Sequence, residues 1–364
     1  MNNSRYFYLL FTVIFSYTYA QKAASLTWHD PLKTITKIDG QGWENIAYTR
    51  LPNIAEKSVR GPVWSLSRNS AGLSIRFTSN TETIKVEYTV GGDIAMHHMP
   101  ATGVSGVDLY GKNDAGNWQW YRGKHTFSDP ISFSFKTAGS PISGREYQLY
   151  LPLYNSVKNL KIGISQGSEI TFLPQRNQKP IVVYGTSIAQ GACASRPGMA
   201  WTNILRRLLD YPMVNLGFSG NGRLEPEVLA LVTDVDAELY VLDCLPNLSP
   251  NETHTETEIK KRLRRSIQHI REKRPESKIL LTQHAGYSDG EVDSGRRSIY
   301  ETLNRWTSDV FEELQKSNPQ NLYMLTKAEI NLSNDAFVDG THPTDLGMEQ
   351  YAKAYKAKLN AILK

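Results

Sequence analysis

The chain has 364 residues, a length that suits two domains better than one compact core. Its hydrophobic content of 40% and charged content of 21% are those of an ordinary globular protein, which excludes a disordered or fibrous class. The net charge of +5 is mild and is not concentrated into a domain-wide patch, so we predict no nucleic-acid partner.

The first 20 residues have the layout of a signal peptide. Arg5 supplies a positive charge, residues 6–15 form a short and mostly apolar run, and small residues stand where signal peptidase reads, before Gln21. The alternative is a buried N-terminal strand. The apolar run is short for a membrane span and no later stretch suits one, so we predict a secreted or periplasmic protein without a membrane span.

Residues 25–170 show the alternation of apolar and polar side chains that is typical of antiparallel strands. The alternating apolar positions are Ile75 and Phe77, then Ile84, Val86 and Tyr88, then Ile131, Phe133 and Phe135, and more loosely Leu149, Leu151 and Leu153. Several such strands in succession predict a β-sandwich, jelly-roll-like, which we assign to residues 21–175.

From about residue 180 onward, apolar strand-like runs alternate with helical segments. The runs are 181–184, 213–216, 239–242, 279–281 and 322–325. This pattern predicts an α/β domain with a doubly wound parallel sheet over residues 176–364, after a polar linker at 174–180. A helix at 259–271 carries one apolar stripe, so its many basic residues are interpreted as a solvated outer face.

Ser187 follows the first strand of the predicted parallel sheet. It therefore lies where open α/β sheets bind ligands, near a helix start whose free N–H groups favour a developing oxyanion. Ala189 occupies the place of the second glycine in G-x-S-x-G, which disfavours the α/β-hydrolase elbow. Taken alone, the segment would also fit an ordinary turn in which Ser187 caps the helix.

Asp339 precedes His342 by three residues near the C-terminus. Its carboxylate can fold back to hold one ring nitrogen, leaving the other to take a proton from a serine. Taken alone, a pair that only stabilises the loop would be the commoner explanation. Pro343 is predicted to lie in the first turn of the final helix.

Two loops after later strands offer hydrogen-bond donors. The first contains Gly220 and presents backbone N–H groups, while the second ends in Asn247, whose amide can donate to a tetrahedral intermediate. Ser219 competes with Ser187 as a nucleophile, although Asn221 breaks the G-x-S-x-G pattern there too. Because loops after parallel strands converge at one edge of the sheet, we expect these groups to meet.

This arrangement resembles the SGNH (GDSL-like) hydrolase family over roughly residues 178–364. Ser187 stands where the family has its block I serine, Gly220 its block II glycine, Asn247 its block III asparagine, and Asp339 with His342 its block V pair. The resemblance implies a serine esterase in which Ser187 is the nucleophile and His342 and Asp339 complete the triad. It also implies an oxyanion hole made by Ser187, Gly220 and Asn247, with no metal or organic cofactor.

Residues 191–198 are similar to a subgroup of that family that carries an N-terminal β domain with a G-x-D-L-Y signature, matched here by residues 106–110. Two departures affect loop geometry but remove no catalytic group. Thr186 replaces the usual Asp before the serine, and residues 245–246 differ from those that usually precede the asparagine.

Export, the β domain and the family resemblance together predict removal of O-acetyl groups from a carbohydrate or hydrolysis of a small ester. The alternatives are a lipid esterase or thioesterase on the same triad, and a non-catalytic carbohydrate-binding protein.

Aromatic residues of the β domain could stack on sugar rings, with core packing expected for at least one of them. His97 and His98 are interpreted as surface residues that would reach the active-site rim only if the domains pack closely. The aromatic residues are Trp118, Trp120 and Tyr121.

The chain has two cysteines, Cys193 and Cys244, too few for a disulfide framework. In an oxidising compartment they could form one bridge, or both could be buried as small hydrophobic residues. We favour the second interpretation.

Overall fold

The computed structural model describes residues 25–137 and 144–363. The signal peptide predicted for residues 1–20 lies outside the described residues. A β-sandwich is followed by an α/β domain, so the predicted fold class is confirmed.

The β domain is a sandwich of two antiparallel five-stranded sheets. Its strands are β1 (Leu26–His29), β2 (Ser74–Ser79), β3 (Thr83–Val90), β4 (Asp108–Lys112), β5 (Trp118–Tyr121), β6 (Gly123–Thr126), β7 (Ile131–Lys136), β8 (Arg145–Tyr150), β9 (Val157–Ser165) and β10 (Ile170–Phe172), with short helices α1 (Gly61–Ser67) and α2 (Ala101–Val104). One sheet has the order β1-β9-β3-β7-β6 and the other β10-β2-β8-β4-β5.

The alternating apolar residues form the inner faces of these sheets. Ile84, Val86 and Tyr88 of β3 are all buried, because successive side chains of a strand point to opposite faces. The fourth predicted run is only partly right: β8 ends at Tyr150, before Leu151 and Leu153. Pro152 has no N–H to donate and so cannot continue the ladder.

The α/β domain contains a parallel five-stranded sheet with helices on both faces. Its strands are β11 (Ile181–Gly185), β12 (Met213–Gly217), β13 (Leu239–Asp243), β14 (Lys278–Thr282) and β15 (Leu322–Leu325). Its helices are α3 (Ser187–Gln190), α4 (Trp201–Leu209), α5 (Pro226–Asp234), α6 (Glu256–Lys273), α7 (Ser294–Ser317), α8 (Lys327–Ile330) and α9 (Asp345–Ile362). These bounds agree with the five predicted strands.

The strand order β12-β11-β13-β14-β15 reverses at β11, because the chain leaves this strand first to one side and then to the other. In doubly wound sheets, such a reversal opens a crevice at the carboxyl ends of the strands, where ligands bind. Helices α5, α6 and α7 cover one face of the sheet, while α4 and α9 cover the other.

Two predictions about helices have different outcomes. The apolar stripe of α6 is buried and three of its cations pair with acids, for example Lys260 with Asp309 at 2.7 Å, as expected for a solvated outer face. Pro343, in contrast, does not lie in the first turn of the last helix. That helix begins at Asp345 with Thr344 as its N-cap, and the Thr344 side chain accepts a hydrogen bond from Gly347 N.

Asp108 of the G-x-D-L-Y segment fastens the β domain to the α/β domain. Its Oδ2 accepts hydrogen bonds from the Arg196 guanidinium at 2.6 Å and from Gly198 N at 2.9 Å. Its Oδ1 accepts from the indole N–H of Trp120 at 2.6 Å. Because this carboxylate is buried and fully bonded, it holds the segment after α3 in one position against the sheet.

Both cysteines are free and buried, as favoured from the sequence. Among the helices of residues 25–137 and 144–363, none combines the length and apolar character that a bilayer crossing requires.

Candidate active site

Ser187 is the first residue of α3, immediately after β11. Thr186 acts as the N-cap, and its hydroxyl accepts a hydrogen bond from Ile188 N at 3.3 Å. The helix cap is therefore the neighbouring threonine and not Ser187, whose hydroxyl remains available for other contacts. The Ser187 side chain lies at the carboxyl edge of the sheet and the residue is only 7% exposed.

Ser187, His342 and Asp339 form a hydrogen-bonded row. Ser187 Oγ lies 2.8 Å from His342 Nε2, and His342 Nδ1 lies 2.7 Å from Asp339 Oδ2. The other carboxylate oxygen, Oδ1, accepts from the backbone N–H groups of His342 at 2.8 Å and Thr341 at 3.0 Å. The structure thus places the three predicted triad residues as a Ser–His–Asp mechanism needs them.

Asp339 is held in its ionised form. Partial burial raises the pKa of this carboxyl, but the hydrogen bonds from His342 and Thr341 outweigh burial and leave the pKa below its usual value. The carboxylate therefore favours the tautomer that has its proton on His342 Nδ1. In that tautomer the lone pair of Nε2 faces the hydroxyl of Ser187.

Arg296 holds the loop that carries the acid and the imidazole. One guanidinium nitrogen donates to Gly340 O at 3.1 Å and to Thr341 Oγ1 at 3.0 Å. The same side chain pairs with Asp289 at 2.7 Å and lies 3.8 Å from the ring centre of Tyr287. Sequence reasoning missed Arg296, because an arginine in the first turn of α7 carries no local signal of a contact 44 residues further along the chain.

The turn after β12 is held by backbone hydrogen bonds on both sides of Gly220. Phe218 O accepts from Asn221 N at 2.8 Å and from Gly222 N at 3.0 Å, while Ser219 N donates to a side chain of α3 at 3.1 Å. Within the described parts of the chain, Gly220 N has no such acceptor. Gly220 has a φ of +67°, which glycine adopts readily and which lets the turn keep this N–H free.

Asn247 ends the short 3-10 turn Leu245–Asn247 after β13. Its side chain lies against the turn that carries Gly220. Two backbone donors, Asn221 N and Gly222 N, face its amide at 3.0 Å each, so the amide oxygen belongs on that side. The NH2 group then points the other way and can act as a donor. Sequence reasoning expected Ser187, Gly220 and Asn247 to converge, and the structure brings all three to one edge of the sheet.

Ser219 does not replace Ser187 in the row. The imidazole of His342 is bonded to Ser187, while the backbone groups of Ser219 stabilise the turn. Ser219 O accepts from the Asn221 side chain at 2.7 Å.

The β domain reaches the rim of the site. The ring of His98 lies 6.1 Å from the ring of His342, with 29° between the two planes. Its loop is held by the buried side chain of Asn155, which accepts from Gly92 N at 2.9 Å and donates to Ser105 Oγ at 2.9 Å. The sequence predicts that His98 reaches the active-site rim only if the two domains pack closely. They do, and His98 lies at the rim.

Two of the aromatic residues of β5 have different surroundings. Tyr121 packs against the core of the sandwich, 5.7 Å from Tyr147, as expected for at least one of them. Trp120 is 47% exposed, but its indole N–H is bonded to Asp108 and its ring lies 4.6 Å from the guanidinium of Arg196. Trp120 therefore contributes to the domain junction, and its stacking on sugar rings stays a prediction.

Asp243, the last residue of β13, is a buried carboxyl close to the site. Its Oδ2 accepts a hydrogen bond from the hydroxyl of Tyr355 at 3.1 Å, and burial raises its pKa to about 7. In the unfolded chain the pKa of this carboxyl is about 4, so the proton binds there only below about pH 4. Between about pH 4 and pH 7 the folded protein therefore binds more protons here than the unfolded chain, so this group's contribution to stability falls as the pH rises through that window.

We expect Asp243→Asn to remove this dependence, because an amide keeps the acceptor for Tyr355 and does not ionise. Thermal unfolding at pH 5 and pH 8 measures it: the variant should gain most in Tm, relative to wild type, at pH 8. Asp335→Asn, on an exposed turn, is the matched control. An Asp243→Asn protein whose Tm follows the wild-type pH curve would contradict the prediction.

In residues 25–137 and 144–363, no three His, Cys, Asp or Glu side chains converge in a way that suits a metal ion.

Comparison with known proteins identifies both domains. Residues 178–360 match the model of the GDSL-like lipase/acylhydrolase family. Residues 26–170 match the model of the GxDLY domain, described as the N-terminus of SGNH-hydrolase-type esterases. None of the curated proteins searched matches the chain significantly.

Solved structures share the arrangement of both domains. A protein described as a GDSL-like lipase, from Bacteroides ovatus, is 33% identical, with a TM-score of 0.83 over 93% of this chain and 98% of that one. The salicylyl-acyltransferase SsfX3 from a tetracycline biosynthetic pathway is 16% identical, with a TM-score of 0.72 over 92% and 97%. A family two carbohydrate esterase from Clostridium thermocellum is 12% identical, with a TM-score of 0.51 over 80% and 92%. The chain belongs to the GDSL-like lipase/acylhydrolase family of SGNH-type hydrolases and carries that family's GxDLY N-terminal domain.

Proposed function

We propose that this protein is an exported serine esterase that removes O-acetyl groups from a carbohydrate. The observation that carries the esterase chemistry is the bonded row of Ser187, His342 and Asp339 beside a turn whose Gly220 N–H has no acceptor within the described residues. A nucleophile, a base and an oxyanion donor within one crevice are the parts that acyl transfer requires.

The reaction proceeds in two steps. His342 Nε2 takes the proton of Ser187 as Oγ attacks the ester carbonyl, and the imidazolium then gives this proton to the leaving alcohol. Asp339 stabilises the charged imidazole. The N–H groups of Ser187 and Gly220 and the NH2 of Asn247 receive the oxyanion. In the second step His342 deprotonates water, which attacks the acyl carbonyl. The imidazolium then returns the proton to Ser187 Oγ as the bond between the acyl carbon and Oγ breaks, which releases acetate and the free serine.

The choice of a carbohydrate rests on two observations. The β domain places His98 at the mouth of the site, so a large alcohol attached to the ester would meet this domain. Several solved structures of similar fold are described as carbohydrate esterases, among them one in complex with cellohexaose.

A substrate comparison tests this choice. We expect the purified protein to release acetate from acetylated xylan and to hydrolyse p-nitrophenyl acetate much faster than long-chain p-nitrophenyl esters. A preference for long acyl chains or for thioesters would favour the lipid esterase or thioesterase alternative. Binding of glycans without any hydrolysis would favour the non-catalytic carbohydrate-binding protein.

We expect Asn247→Ala to lower kcat by about 10²- to 10³-fold with little change in KM, because the amide donates to charge that develops only in the transition state. Steady-state kinetics on p-nitrophenyl acetate measure both constants. Asn251→Ala is a control in the exposed segment that follows. A change confined to KM would show that Asn247 binds the substrate instead of the oxyanion.

Export is the remaining part of the proposal. It rests on the positive residue, apolar run and small residues in the first 20 positions. Expression of the full chain in a bacterium with a secretory pathway should yield a mature protein whose N-terminal sequence begins at Gln21. Recovery of the uncleaved chain from the cytoplasm alone would contradict it.

A further inference from the structure

Gln190 is fully buried between the two domains and bonds to both of them. Its Oε1 accepts a hydrogen bond from Ser219 N at 3.1 Å. Its Nε2 donates to Leu153 O at 3.2 Å and to Asn69 Oδ1 at 3.3 Å, both in the β domain. This side chain therefore joins the turn that carries Gly220 to two separate segments of the β domain.

The position of this bond matters because Ser219 directly precedes Gly220. Oxyanion donors act through preorganisation, and a donor contributes only when it already lies within hydrogen-bond distance of the developing charge. The N–H groups of Asn221 and Gly222 fix the part of the turn that follows Gly220. The part that precedes Gly220 depends on the hydrogen bond between Ser219 N and Gln190. Without this acceptor, the partly buried Ser219 N–H would lose the hydrogen bond that fixes the start of the turn, and the turn would be free to shift.

A side chain of the β domain itself holds the strand that leads into this turn. Arg50 is buried and donates to Gly217 O, the last carbonyl of β12, at 2.5 Å. Within its own domain it donates to Leu66 O at 2.6 Å and to Asn69 O at 2.9 Å. Its guanidinium also lies 5.1 Å from the ring centre of Phe218. The β domain thus holds Gly217 directly through Arg50, and it holds Ser219 through its hydrogen bonds with Gln190 of α3.

We propose that Gln190 is a positioning residue for the oxyanion hole, and that the β domain takes part in catalysis by holding the Gly220 N–H through it. Gln190 acts through the backbone of the turn and does not touch the substrate. The inference rests on the esterase chemistry of the proposed function and not on the identity of the glycan. A small aryl ester is therefore a sufficient probe.

The test replaces Gln190 by methionine, which has nearly the same shape but cannot accept from Ser219 N. We expect kcat on p-nitrophenyl acetate to fall by about 10- to 100-fold, with KM changed by less than about twofold, since the loss concerns the transition state. Amide hydrogen exchange in residues 216–224, which needs no substrate, should become faster in the same variant.

Gln148→Met is the matched control for a loss of stability. Gln148 is also a buried glutamine near the domain junction, and its Nε2 donates to Ser74 Oγ, which accepts from Arg206. Arg206 in turn donates to Met213 O, at the opposite end of β12 from Gly217. We expect this variant to lower Tm without changing kcat at a temperature well below unfolding. Equal losses of kcat in the two variants would overturn the inference.

Asn69 supplies variants that test the link should Gln190→Met fail to fold. Asn69→Ala removes one acceptor of Gln190 and should lower kcat by about 3- to 10-fold, while Asn69→Asp keeps an oxygen there and should retain most of it. Unchanged kcat and unchanged exchange in the Asn69→Ala protein would overturn the inference. A wild-type protein that hydrolyses p-nitrophenyl acetate but no acetylated glycan would overturn the proposed substrate and leave this inference standing.

Discussion

Replacing Ser187 by alanine is expected to lower kcat on p-nitrophenyl acetate by about 10⁴- to 10⁶-fold, because Ser187 supplies the hydroxyl of the row with His342 and Asp339. The fold should be unaffected. The only side-chain partner of Ser187 Oγ in the described residues is His342, and Thr186 provides the helix cap in its place. Steady-state kinetics and the Tm of the purified variant measure the two effects.

Ser219→Ala is the control for this experiment. The turn depends on the backbone N–H and C=O of Ser219, which alanine retains, so we expect activity within about threefold of wild type. A reversed result, with Ser219→Ala inactive and Ser187→Ala active, would transfer the nucleophile to the other loop. It would also refute the hydrogen-bonded row as the catalytic arrangement.

The second large effect is expected for Asp339→Asn, about 10⁴-fold in kcat. The oxygen Oδ1 must accept from two backbone donors, the N–H groups of Thr341 and His342, so the asparagine oxygen will occupy that place. Its NH2 then faces His342 Nδ1, which must become an acceptor. The ring proton moves to Nε2, and the imidazole can no longer take the proton of Ser187.

The geometry distinguishes this tautomer effect from a simple loss of structure. Backbone bonds to Oδ1 survive in the variant, so we expect its Tm to stay close to that of wild type, whereas Asp339→Ala should lower it. Activity is to be measured from pH 6 to pH 10. We expect the loss to persist over this whole range, because deprotonation of the imidazolium does not restore the tautomer that has its proton on Nδ1. Asp339→Asn activity above a tenth of wild type would show that Asp339 does not orient the imidazole.

The candidate catalytic groups are predictable from the amino-acid sequence because each has a local signature. A serine after a buried strand, a glycine loop and an asparagine after later strands, and an Asp three residues before a His are short patterns. The parallel sheet brings such patterns to one edge whatever the loops contain. The same reasoning failed where a single residue changes the local geometry: Pro152 ends β8, and Thr344 caps the last helix, so that this helix begins at Asp345 and excludes Pro343.

The supports of the site could not be predicted in this way. The side chains concerned bind backbone groups that are distant in sequence, as shown by Gln190, Arg50 and Arg296. Every residue has these backbone groups, so a sequence pattern cannot indicate which of them a side chain will bind. His98 illustrates the same limit. Its position beside His342 depends on how the two domains pack, and the sequence of its loop carries no sign of that packing.

The amino-acid sequence alone determined the two-domain organisation, the strand and helix pattern, the family resemblance and the residues of the hydrogen-bonded row, because these depend on periodicity and on short-range spacing. Only the tertiary structure decided which backbone N–H is left free in the Ser219–Gly222 turn, which side chains hold that turn, and that the β domain borders the site. These features depend on contacts between segments far apart in the chain. Such contacts form only when buried polar groups find their partners in the folded protein.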